Sequence, residues 1–310
     1  VNGIHIHRYG EKLELLGYAK RTIGDYCFAL RWFLQYLEEQ ESVTDIQAIT
    51  PAHLTAYHTH LQYGKFRNGR YLTNGTIRDR LNAIKLFLRI FHEEGILPED
   101  LTHHITPPKA KRPLPKNIPS AKDMVRLLEA VRPVDTITLR DRTMLELMYA
   151  TGIRALELLT LSVDSINLSD KTLFVHGKGS KDRVVPLGAW LMPWLIEYLE
   201  SGRPKLLPPG KSTDILFISK RGLPLAESNL CWILRKYLAR TALTSRLTPH
   251  SFRHACATHM LQGGADIRYI QELLGHVDVS TTQIYTKVDI SELKTIHGKY
   301  HPREKRDDED

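Results

Sequence analysis

Six side chains between positions 154 and 285 have types and spacings that could act on a phosphate: Arg154, Lys178, His250, Arg253, His276 and Tyr285. The stretch Thr248-Pro249-His250-Ser251-Phe252-Arg253-His254 begins with an N-cap Thr and a Pro at N1. That spacing predicts a helix with His250 and Arg253 on one face near its positive end, which suits an anion. Taken alone, an H-x-x-R is common and reads more readily as an ordinary surface pair. Arg154 follows Thr151-Gly152-Ile153 and reads either as a phosphate ligand or as a helix-end charge, with Glu157 as its structural partner. Lys178 sits in His176-Gly-Lys-Gly-Ser-Lys-Asp182, between the strand-like runs Thr172 to Val175 and Arg183 to Leu187, a pattern that reads as a hairpin with a Gly-rich tip. Leu273-Leu274-Gly275-His276 ends a helix at Gly275, and Thr281-Thr282 caps another that presents Tyr285 one turn in, close to His276. A lone Tyr on a helix is often half-buried packing, and a His after a C-cap Gly is often a dipole partner. Those separate explanations do not account for Arg, Lys, H-x-x-R, G-H and Tyr following one another in this order.

The elements that would position these groups are mostly helical. From Thr22, with Asp25 completing a capping box, Ile23, Tyr26, Leu30, Phe33 and Leu37 recur at steps of three and four. Thr50 and Pro51 open a second helix with Leu54, Tyr57 and Leu61 on one face, and a third carries Ile77, Leu81, Ile84, Leu88 and Phe91 and ends near Gly95. On the third, Arg78, Lys85 and Arg89 share a face that could track a phosphate backbone or simply be solvated. Residues 106–119 are rich in Pro and Lys/Arg and contain Lys109, Lys111 and Arg112, with no acidic residue, so they read as a basic, extended linker. Ser120 with Asp123 starts the second domain in another capping box. Beyond it, helices are expected at Met144 to Tyr149, at Ala155 to Leu161, and across 189–200 and 226–241. The expected division is a helical first domain over 1–105, the linker over 106–119, a second domain over 120–300 and a charged, disordered tail over 301–310.

The chain of 310 residues carries 43 Lys+Arg against 35 Asp+Glu, a formal charge of +8, which makes nucleic acid the first partner to consider. Its 3 cysteines, Cys27, Cys231 and Cys256, are odd in number and far apart, which excludes a disulfide framework and a CxxC metal site and fits a reducing compartment. No run reaches the roughly 18 apolar residues of a membrane span, and the opening VNGIHIHRYGEKLE lacks the apolar core of a signal peptide, so a cytoplasmic, nucleoid-associated protein without a membrane partner is expected.

At four stretches the chain resembles the tyrosine recombinase, or phage integrase, family. They are A-T-G-I-R-A-L-E-L-L (150–159), H-G-K-G-S-K-D-R-V-V-P-L (176–187), L-T-P-H-S-F-R-H-A-C-A-T-H-M-L (247–261) and L-L-G-H-V-D-V-S-T-T-Q-I-Y-T (273–286). By that similarity Arg154 and Arg253 are the phosphate-binding arginines, Lys178 the hairpin lysine, His250 and His276 the two histidines, and Tyr285 the nucleophile. The resemblance implies a mainly α fold with a small β-hairpin or sheet: a two-domain DNA clamp of a helical, SAM-like core-binding domain and a mixed α/β catalytic domain. It implies a site-specific recombinase that cleaves and rejoins DNA through a 3′-phosphotyrosyl intermediate. The chemistry fits the residue types. Guanidinium groups stabilise the charge of a phosphorane-like state better than a Lys point charge, and a Lys near other cations can protonate the leaving oxygen. The covalent ester stores the bond energy, so neither ATP nor a metal is needed and no cofactor is expected.

The two-domain layout and the closing Tyr300-His301-Pro302-Arg303-Glu304-Lys305-Arg306 look most similar to the Xer recombinases that resolve chromosome dimers. With the helical pattern opening near residue 18, the extra N-terminal arm-binding domain of phage-type integrases is not expected. Transposon and integron recombinases share the layout, and the insert Gly64 to Tyr71 keeps a mobile-element enzyme open. The family implies a tetramer on two double-stranded DNA sites, with a paralogous recombinase as an optional partner and a C-terminal helix, Val288 to Ile296, lent to the neighbouring protomer. Three other readings are weighed: a type IB topoisomerase, which shares the chemistry without pairing duplexes, a catalytically silent DNA-binding relative, and a basic helical scaffold.

Overall fold

The computed structural model describes residues 2–66, 69–109, 118–177, 182–243, 247–275 and 289–304. They fall into two compact units, Val1–Leu114 and Pro115–Asp310.

The first unit is built on α1 (Asn2–Leu15), α2 (Lys20–Glu41), α3 (Pro51–Tyr63) and α4 (Asn74–Glu93). The expected stripes face inward: Leu30, Phe33 and Leu37 of α2, Leu54, Tyr57 and Leu61 of α3, and Ile77, Leu81, Ile84, Leu88 and Phe91 of α4 are all buried. Thr50 lies ahead of Pro51 at the start of α3, its backbone N–H donating to His53 Nδ1 at 3.1 Å. Two expectations fail. The helical pattern does not open near residue 18, because α1 precedes it, with Tyr9 and Leu13 fully buried. Tyr9 donates its hydroxyl to the Ala83 carbonyl at 2.8 Å, while Arg8 and Lys12 pair with Glu94. Nor is Thr22 an N-cap, since α2 begins at Lys20 behind Ala19, which makes no side-chain capping bond. Gly17, at φ +77, turns the chain at the end of α1, and the helix restarts at once.

The second unit comprises α5 (Ala121–Glu129), α6 (Thr136–Thr151), α7 (Ala155–Leu159), β1 (Ile166–Asn167), β2 (Thr172–Val175), β3 (Arg183–Pro186), α8 (Met192–Glu197), α9 (Arg203–Leu206), α10 (Glu227–Leu238), α11 (Pro249–Gly263), α12 (Ile267–Leu274) and α13 (Ile290–Tyr300). Ser120 and Asp123 cap α5 reciprocally as expected: Asp123 N–H donates to Ser120 Oγ at 3.1 Å and Ser120 N–H to Asp123 Oδ2 at 3.3 Å. The three strands form one antiparallel sheet in the order β1-β2-β3, with Val175 opposite Arg183 at the mouth of the expected hairpin. A π-helical turn over Tyr198–Gly202 joins α8 to α9.

Helix α6 is the centre of this unit and is buried from Thr138 to Thr151. A helix buried all round cannot leave its charges unpaired. Arg140 pairs with Asp141 at 2.6 Å, and Tyr237 donates to the other oxygen of Asp141 at 2.9 Å. Arg142 pairs with Glu146 at 2.8 Å. Glu146 also pairs with Arg303, whose guanidinium lies over Trp190 at 4.5 Å. Residues 301–304 are therefore not part of a free charged tail. His301 is fully buried against the Tyr149 carbonyl at 3.1 Å, and Glu304 accepts the Ala189 N–H at 2.8 Å. The segment expected to be lent to a neighbour sits at home, with Leu293 in the core of this unit, Ile296 packed against that core and His297 donating to the Ala150 carbonyl at 2.8 Å. Val288 and residues 305–310 lie outside the described residues. Among the described residues no helix is long and apolar enough to cross a membrane.

Candidate active site

Three of the six chemically suggestive residues, Arg154, His250 and Arg253, are described, and the second unit brings them to one place. Lys178, His276 and Tyr285 lie outside the described residues. Arg154 is the N-cap of α7. It is reached through a sharp turn at Gly152, which has φ +60 and would carry a Cβ 2.5 Å from Leu274 Cδ2. Only glycine satisfies both the left-handed backbone and the close approach of α12. Arg253 and His250 come from the first turn of α11, which opens with Pro249 at N1 behind Thr248.

Arg253 is 3 % exposed and donates Nη1 to the Gly152 carbonyl at 2.8 Å and Nη2 to the Leu274 carbonyl at 2.6 Å. Burial, followed by the charges of Arg154 and Arg183, pulls its guanidinium down to about 10, so it stays protonated at neutral pH. Arg154 remains partly exposed and reaches the Gly275 carbonyl with Nη2 at 3.5 Å. His250 stacks edge-on against His254 at 4.5 Å. Burial, then the electrostatic effect of His254, Arg253 and Arg154, lowers its pKa and favours the neutral ring.

Two residues in this cluster did not emerge from the sequence as functional candidates. Arg183, the first residue of β3, is 8 % exposed and grips Glu157 with both ends of its guanidinium, at 2.7 and 3.1 Å, while its Nε donates to the Leu273 carbonyl at 3.1 Å. His254 faces His250 from the next turn of α11. The only signal for Arg183 is its place five residues after Lys178, because its partners lie 26 and 90 positions away. Glu157 holds Arg154 as expected, from the guanidinium at 2.8 Å and from the backbone N–H at 3.0 Å. Burial pushes the Glu157 carboxyl up, but bonds from Arg183 and Arg154 and their charges overcome it and hold it at about 2.

Carbonyls 273, 274 and 275, at the end of α12, thus each accept from a different arginine: Arg183, Arg253 and Arg154. A helix C-terminus carries partial negative charge and attracts cations. Three guanidinium groups around one carboxylate leave a positive cluster, and the exposed Arg154 presents it to solvent. At the base of the hairpin, His176 Nδ1 and Gly177 N–H both approach Asp182 Oδ1 at 3.3 Å.

The residues read as a phosphate-tracking face in the first unit differ among themselves. Arg78 pairs with Asp79 at 3.3 Å, Lys85 donates to the Ile105 carbonyl at 3.2 Å, and Arg89 is exposed. Lys109 is exposed, whereas Lys111 and Arg112 lie outside the described residues.

Comparison with known proteins identifies the family. The phage integrase family model matches residues 120–292, and the model of the phage integrase N-terminal SAM-like domain matches residues 6–96. The tyrosine recombinase XerD of Vibrio vulnificus is 38 % identical over 93 % of this chain and 91 % of its own length. The tyrosine recombinase XerC of Halalkalibacterium halodurans is 36 % identical over 92 % of this chain and 93 % of its own. Among solved structures, a lambda integrase dimer bound to a core site matches with a TM-score of 0.67 at 17 % identity, covering 91 % of this chain and 99 % of that one. The XerH site-specific recombinase bound to its difH substrate matches with a TM-score of 0.65 at 22 % identity, over 83 % of this chain and 74 % of that one. At those identities the structures speak for the fold, mostly helical with a small antiparallel sheet, while the sequence relatives and the family models carry the assignment. Neither strand relaxation of the topoisomerase kind nor silent DNA binding is favoured by relatives of this identity and extent. With an arginine cluster on the end of α12 and recombinase relatives along nearly its whole length, the chain belongs to the phage integrase family and is a site-specific tyrosine recombinase.

Proposed function

We propose that the chain is a Xer-type recombinase acting on double-stranded DNA, with Tyr285 as its nucleophile and Arg154 and Arg253 as its phosphate ligands. The observation that carries this is the convergence of Arg154, Arg253 and His250 in the second unit. In the first step the Tyr285 oxygen bonds to the scissile phosphorus and the bond from phosphorus to the 5′ oxygen breaks. Lys178 protonates that leaving oxygen, and the two arginines neutralise the charge that builds on the non-bridging oxygens. His250, whose pKa is lowered by burial and then by its neighbours, accepts a hydrogen bond or the Tyr proton, with His276 as the second candidate. A 5′-hydroxyl from another strand then attacks the 3′-phosphotyrosyl ester and restores the phosphodiester. Each bond made replaces one of the same kind, so no nucleotide is consumed.

Four protomers on two DNA sites would carry the exchange, since each active site cuts one strand and two duplexes hold four. The XerD- and XerC-named relatives match at similar identity, which supports the Xer-type reading without favouring either subtype. The domain division over 1–105, 106–119 and 120–300 belongs to the same reading, with DNA contacted by Arg78, Lys85 and Arg89 of α4 and by Lys109, Lys111 and Arg112 of the linker.

The test is incubation with nicked duplexes that trap cleavage, in chelator and without ATP, followed by a denaturing gel. Wild type is expected to give a covalent protein–DNA species, and Tyr285→Phe none. An adduct that survives Tyr285→Phe overturns the assignment of the nucleophile.

A further inference from the structure

Arg183 is buried within the arginine cluster, 8 % exposed. Its guanidinium makes three bonds within the protein: two to the Glu157 carboxylate and one to the Leu273 carbonyl in the last turn of α12. The same two carboxylate oxygens receive Arg154, one from its side chain and one from its backbone N–H. Opposite Arg183 in the sheet is Val175, so the residue also stands at the mouth of the hairpin that leads to Lys178. The packing is close as well as polar, because a Cβ on Gly275 would lie 3.1 Å from Arg183 Cδ.

We infer that Arg183 is a positioning residue for strand cleavage. It fixes the Glu157 carboxylate, and through it the orientation of Arg154, against the end of α12. Lysine cannot do this, since a single ammonium cannot grip both carboxylate oxygens and a carbonyl from the geometry of a planar fork. A misplacement of about 1 Å at a phosphate ligand lowers the chemical step by on the order of 100-fold. Substrate affinity, carried by many other phosphate contacts, is spared. The inference rests on the reading of Arg154 as a phosphate ligand.

The experiment measures single-turnover adduct formation and DNA affinity for wild type, Arg183→Lys, Arg154→Ala and the double variant. Arg183→Lys is expected to cleave about 100-fold more slowly, with DNA affinity within about threefold of wild type. In the Arg154→Ala background the same change is expected to add less than about threefold, because the residue it acts through is gone. A full, additive loss in that background overturns the role of Arg183, as does normal cleavage by Arg183→Lys. Normal cleavage by Arg154→Ala alone overturns instead the reading on which the inference rests. Should Arg183→Lys fail to fold, the neutral pair Arg183→Gln with Glu157→Gln removes both buried charges together. A folded but slow neutral pair supports positioning, and recovery of wild-type cleavage with folding contradicts it.

Discussion

Glu157 is where the chemistry and the stability of the candidate active site meet. Its carboxyl titrates at about 2 in the fold against an ordinary 4.5, a difference worth about 3 kcal/mol of folding free energy. Because the folded value is the lower one, that stability is fully present above pH 4.5 and is lost as the pH falls toward 2. Urea unfolding of wild type and Glu157→Gln is therefore expected to differ by about 3 kcal/mol near neutrality, with the gap closing in acid. A gap that does not change with pH contradicts the ion-paired carboxylate. At this scale the sequence is informative where partners are local. Glu157 lies one helical turn from Arg154 and reads as its partner on spacing alone, and Pro249 placed His250 and Arg253 at a helix start that the structure bears out. Arg183 is different, since what makes it part of the site is a carboxylate and a carbonyl brought in from distant segments.

Among the elements, the turn at Gly152 and the end of α12 are built against each other. Replacing Gly152 with Ala forces a non-glycine residue to φ +60 and drives a Cβ into Leu274, which together cost about 2–4 kcal/mol. A thermal melt of Gly152→Ala that matches wild type contradicts this account of the turn. The amphipathic helices α2, α3 and α4 are legible because their apolar residues recur at helical steps, and the Ser120–Asp123 box is legible because its bonds close within one turn. Helix α1 is not legible. Among its described residues only Tyr9 and Leu13 are buried, and what orders it is its contact with Ala83 and Glu94, far along the chain. From the sequence, helix α6 is expected only over Met144 to Tyr149, and its first half hides for the opposite reason, since Arg140, Asp141 and Arg142 look like surface charges until their buried partners are seen.

For the whole molecule, the C-terminal segment is the place where composition misleads most. His-Pro-Arg-Glu reads as the start of a charged tail, yet Arg303 completes a buried ion-paired network with Glu146 and Arg142 in the middle of α6. Arg303→Ala strands the Glu146 charge with one partner fewer and is expected to destabilise the second unit by about 3–5 kcal/mol in chemical denaturation. An effect below about 1 kcal/mol is what a solvated tail residue would give. The positive charge of the chain, +8, is legible from composition and sets the partner class, but the target DNA sequence depends on which side chains enter its grooves and is not written in charge. The most direct test of the account is to digest the trapped protein–DNA adduct with trypsin and sequence the DNA-linked peptide by mass spectrometry. The fragment between Arg268 and Lys287 holds two tyrosines, Tyr269 and Tyr285. Tyr269 hydrogen-bonds the Glu292 carboxylate, which raises its pKa. The account expects the phosphodiester on Tyr285, and DNA attached to Tyr269 or to any residue outside this peptide contradicts it.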